Sequence, residues 1–79
     1  MQLKITLTDH RLFGIEKMLD RAGLTDGGNG FACAAFDGTN TMVDVRPRRP
    51  VHLERDMRAV QEVFGDIFVK MIPVTHEKK

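Results

Sequence analysis

The chain contains one cysteine, three prolines, no tryptophan and no tyrosine. A single cysteine excludes the internal disulfide that often staples a fold this small. No C-x-x-C or H-x-x-x-H spacing occurs, and His10, His52 and His76 are scattered. A structural metal site is therefore not expected, and no motif calls for a cofactor. No apolar run approaches the ~18 residues needed to cross a membrane. Neither charge sign dominates, with 12 Lys and Arg against 11 Asp and Glu and a net charge of +1. That balance argues against strong non-specific nucleic-acid binding over the whole surface. Walker and G-x-S-x-G motifs and a paired-acid pocket are also missing, which reads as a non-enzyme. The 79 residues hold one domain. A domain this short buries about 60% of its unfolded surface, so its stability margin is thin.

What is present is a regular alternation of periods. Leu3, Ile5 and Leu7 alternate with Gln2, Lys4 and Thr6, as in a half-buried strand. This alternation differs from a signal peptide, and with the lone Cys33 it points to the cytoplasm. Thr8 or Asp9 can cap a helix whose stripe is Leu12, Ile15, Leu19 and Ala22, with Met18 beside it. Gly14 would lie inside this helix, and Gly23 would end it with Leu24 folded back onto Leu19. Thr25–Gly30 is a loop. It runs from helix to strand, the reverse of a phosphate cradle.

Phe31–Phe36 reads as a strand without a single charge. Strict alternation places Phe31, Cys33 and Ala35 on one face and Ala32, Ala34 and Phe36 on the other. A one-residue slip swaps the sets. Asp37-Gly38 signals a hairpin, and Thr41–Arg46 is the return strand, with Asp44 outward. Pro47 and Pro50 stop it. A second helix over His52–Phe64 has the stripe Leu53, Met57, Val60 and Phe64, and Gly65 ends it. Ile67–Val74 is the last strand and Thr75–Lys79 a frayed tail. The order β-α-β-β-α-β is that of the α+β ferredoxin-like two-layer sandwich, with strand order 4-1-3-2 and both helices on one sheet face. Pro73 suits the edge position this order assigns to the last strand.

Function is less legible. An uncharged edge strand lacks the usual protection against pairing, so a homodimer is expected. Asn29–Phe36 resembles the octamer of RNA-recognition motifs in its Gly, its small residue and its outer Phe positions. It departs at the first basic and middle aromatic positions, and that octamer belongs on strand three. The resemblance implies a nucleic-acid module as the alternative reading. Acylphosphatase-like enzymes share the topology, but Thr8-Asp9-His10-Arg11 lacks the glycines of their phosphate loop. Cys33 has no cationic neighbour in sequence and reads as a small hydrophobe. Arg46, Arg48 and Arg49 form a stiff basic loop that can contact phosphate or an acidic partner, or can pair with Glu54 and Asp56. The expected function is a protein-interaction or regulatory module acting through Arg46, Arg48, Arg49, Phe31, Phe36 and Asp44. An inhibitor of the kind phages direct at host defence fits by fold analogy alone.

Overall fold

The N-terminal alternation becomes strand β1, Gln2–Leu7. In the computed structural model, which describes residues 2–8 and 12–74, β1 lies at the centre of a four-stranded sheet. The others are β2 (Phe31–Phe36), β3 (Thr41–Val45) and β4 (Phe68–Val74), in the order β2-β3-β1-β4, all neighbours antiparallel. This is the expected 4-1-3-2 arrangement read from the other edge. Helices α1 (Ile15–Arg21) and α2 (Leu53–Phe64) complete a small α+β sandwich. A single 3-10 turn, Gly65–Ile67, leads into β4.

Leu3, Ile5 and Leu7 face the helices and are fully buried with Val43, Val45, Ile15, Leu19, Leu24 and Val60. Each such side chain contributes roughly 1.5–3 kcal/mol by leaving water. Phe31, Ala34 and Phe68 pack against the margin of this cluster.

Helix α1 is shorter than its periodicity suggests. Gly14 adopts a left-handed φ of 82° and stands before the helix, where it serves as the N-cap residue. Leu12 and Phe13 therefore lie outside the helix, and Phe13 is 90% exposed. Thr8 is not the cap; its hydroxyl donates to the Ile67 carbonyl at 3.4 Å, and Asp9 lies outside the described residues. The C-terminus follows expectation. Gly23 is left-handed, its N–H donates to the Asp20 carbonyl, and the Leu24 N–H donates to the Leu19 carbonyl. Those two bonds close a Schellman motif.

Helix α2 buries Asp56, Val60 and Phe64, while Leu53 is exposed and Met57 half-buried. The inward face thus includes a carboxylate that the expected stripe of Leu53, Met57, Val60 and Phe64 did not contain. The tail Thr75–Lys79, His10 and His76 lie outside the described residues.

Candidate interaction surface

The register of β2 decides where its side chains point. Phe31 pairs with Val45, then Cys33 with Asp44, Ala34 with Val43, Ala35 with Met42 and Phe36 with Thr41. Ala32 is skipped, so the strand is bulged there. Directly opposed residues share a face. The bulge therefore puts Phe31, Ala34 and Phe36 on the helix side and leaves only Cys33 and Ala35 on the open side. The alternation expected from sequence holds from Cys33 onward and fails for Phe31. A bulge is also one of the devices that discourage edge pairing. The free edge is thus not the unprotected one on which a homodimer was expected. The other edge, β4, is interrupted beside Val69 and carries Pro73.

The open face follows from the same registers. One row runs Cys33, Asp44, Lys4 and Ile72, and the next Ala35, Met42, Thr6 and Lys70. Gln2 and Val74 begin a further row, joined by Arg46, whose Nε lies 3.5 Å from Gln2 Oε1. Three cations, Lys4, Lys70 and Arg46, face one anion, Asp44, a local charge of +2 on a chain of net +1. No aromatic ring stands on this face among the described residues.

Asp44 and Cys33 are coupled. The Cys33 thiol donates to Asp44 Oδ2 at 3.4 Å, while Asp44 Oδ1 is buried without a hydrogen-bond partner among the described residues. That hydrogen bond, some burial and the carboxylate charge raise the thiol above its ordinary value, against the opposing pull of Arg46 and Lys4. Cys33 is exposed yet held protonated, the opposite of an activated nucleophile.

The basic loop divides into residues with different work. Arg49 turns inward. Its Nε and Nη2 donate to the Gly23 carbonyl at 2.8 and 2.6 Å, and its Nη1 donates to the Pro50 carbonyl at 3.0 Å. Nη1 and Nη2 also reach Asp56 Oδ2 and Oδ1 at 3.3 and 3.0 Å. These contacts use all five guanidinium N–H groups. Arg49 thus ties the end of α1 to the start of α2 and has no donor left for a ligand. Asp56 is 2% exposed and also accepts the His52 N–H. Burial pushes its carboxyl upward, but the Arg49 hydrogen bonds and charge, with His52 and Arg55, hold it below its ordinary value. Glu54, by contrast, is exposed.

Arg46 and Arg48 point outward. Both line a cleft of about 430 Å³ with Gly30, Phe31, Ala32 and Pro47. Arg48 and Arg49 also border a second cleft of about 280 Å³ against Gly23–Asp26 and Asn29. The glycine loop is a tight reversal in which Asp26 and Asn29 exchange backbone hydrogen bonds around Gly27-Gly28. Thr25 pins it by donating to Asp20 Oδ1.

Of the six residues singled out in the sequence, Arg46 and Asp44 share the open face, and Arg48 stands beside it. Phe31 and Phe36 lie on the helix side and Arg49 inside the loop. Sequence reasoning missed Lys4 and Lys70, whose common face was visible only through the register of the two strands. Among the described residues no three His, Cys, Asp or Glu side chains converge as metal ligands. No described helix is long and apolar enough to cross a membrane. Comparison with protein-family models, curated proteins and solved structures found no match.

Proposed function

We propose that this chain is a non-enzymatic interaction module that binds the acidic surface of another protein through its open sheet face. Occupying that surface would make it a regulator or inhibitor of its partner. The observation that carries the reading is a sheet face that no described element covers, with Lys4, Lys70 and Arg46 around Thr6, Met42 and Ile72. Complementary charge of this kind steers association and selects partners. Packing the face on a second copy would oppose like charges, so a different protein suits it better than self-association. The exposed, unpaired Cys33 fits a reducing compartment such as the cytoplasm.

Affinity capture from cells of the source organism tests this with three forms of the protein. The unaltered chain and a helix-side reversal, Arg58→Glu, should retain the same partner. A face reversal, Lys4→Glu with Lys70→Glu, should release it while circular dichroism stays unchanged. Retention by the face reversal, or equal loss in the helix-side variant, would overturn the reading. A nucleic-acid partner would instead give oligonucleotide binding with a steep salt dependence.

A further inference from the structure

We infer that the cleft between Arg46 and Arg48 receives carboxylates from an acidic, extended segment of the partner. This inference rests on the open-face reading and locates the anchor of the contact. Arg46 and Arg48 both line the cleft, and Pro47 between them fixes the backbone. Their terminal guanidinium nitrogens have no partner among the described residues. Arg49, next in the run, has every donor engaged, so it anchors the loop while its neighbours stay available.

The loop is held at both ends. The Arg46 N–H donates to the Gly30 carbonyl at 2.7 Å, and Arg49 grips Gly23 and Asp56. Such preorganisation lowers the entropy lost on binding. Gly30 makes the close approach possible, because a Cβ there would stand 3.0 Å from the Arg46 carbonyl oxygen. Beside it, the bulge leaves Ala32 without a register partner in β3, and the cleft opens there. Its volume lies within the usual range for ligand sites.

A guanidinium fork matches the two oxygens of a carboxylate and also those of a phosphate. The open face beside the cleft decides between the two sources. Among the described residues it offers apolar side chains and lysines but no ring on which bases could stack, and the one ring lining the cleft, Phe31, is half-buried against the core. An acidic peptide crossing from the cleft to Lys4 and Lys70 would meet cations at both ends of its path and pass the single anion Asp44 between them.

The test is fluorescence anisotropy at low ionic strength with three probes. These are a short labelled Glu-rich peptide, the same peptide with Gln for Glu, and a single-stranded oligonucleotide. The Glu peptide should bind and the Gln peptide should not. Arg46→Gln with Arg48→Gln should weaken the Glu peptide about tenfold, and Arg58→Gln should leave it unchanged. Tighter binding of the oligonucleotide, equal binding of the double variant, or no binding of the Glu peptide would overturn the inference. If the Lys4 and Lys70 reversal abolishes peptide binding while the Arg46 and Arg48 variant does not, the cleft fails and the open-face reading survives. If neither variant matters, both fail.

Discussion

Replacing Arg49 with Met removes five hydrogen bonds at once, two to a buried carboxylate and three to backbone carbonyls. Asp56 would keep only the His52 N–H at 3.2 Å and Arg55 at 3.6 Å. Breaking a fully buried ion pair costs about 3–5 kcal/mol. The Arg49 side chain is 34% exposed, so solvent screening reduces this to about 2–3 kcal/mol. A domain of 79 residues has roughly 4–12 kcal/mol in total. The urea midpoint should therefore fall by about 2 M or more, and the melting temperature by roughly 10–20 °C. Far-ultraviolet circular dichroism is the assay, because without Trp or Tyr the chain has no useful fluorescence. The pH dependence gives an independent check. Asp56 is held below its ordinary value, so its contribution is present above the unfolded pKa of about 3.9 and is lost as pH falls through the folded one. Without Arg49, burial is no longer offset and the carboxyl moves upward, costing stability at neutral pH and relieving it on protonation. The gap between the two proteins should be widest near neutrality and close in acid. A gap below about 0.5 kcal/mol, or one unchanged from neutral to acid pH, would refute the role assigned to Arg49.

Three further outcomes follow from the same geometry. Phe31→Ala should cost about 2 kcal/mol and Phe36→Ala about 1 or less, since Phe31 is half-buried against the core while Phe36 is 43% exposed; equal losses in thermal melts would contradict this difference in burial. Gly30→Ala should destabilise by about 2–3 kcal/mol and Gly38→Ala by about 1–2, because both have positive φ but only Gly30 faces a backbone carbonyl; chemical denaturation of the two variants checks the order. Asp44→Asn should bring the Cys33 thiol down toward its ordinary value and speed its alkylation several-fold at mildly alkaline pH. Equal rates across a pH series would show that the Cys33–Asp44 contact has no influence on the thiol.

The elements and their order were legible because hydrophobic period and glycine punctuation agreed with the fold along most of the chain. Leu3, Ile5 and Leu7 alternate and are buried, and Gly23 with Leu24 ends α1 as its spacing implies. The misreadings arose where one local choice had two physical solutions. Gly14 is tolerated inside a helix or required before one, and only the path of the chain after Leu7 selects the second. The β2 alternation was broken by a bulge at Ala32 that no turn residue marks. Pairing of the loop arginines with Glu54 and Asp56 was one of two open readings, and among those arginines only Arg49, seven residues before Asp56, makes it. For the site, the basic loop was visible as composition. The division between one engaged and two available arginines depended on partners far off in sequence, Gly23 above all.

The place of β1 has a consequence for how the molecule comes into being. Its two neighbours are β3, where Leu3 meets Val45, and β4, where Gln2 meets Val74. The strand that organises the core is thus synthesised before either of its neighbours, and its pairing is completed by the last described strand. A chain carrying only β1, α1 and β2 has no adjacent pair of strands from this sheet, and only Ile15, Leu19, Ala22 and Leu24 to cover Leu3, Ile5 and Leu7. Contacts so distant in sequence slow folding and prolong the exposure of apolar surface. Closure of the sheet around β1 therefore waits on β3 and β4, the strands that lie farthest from it along the chain.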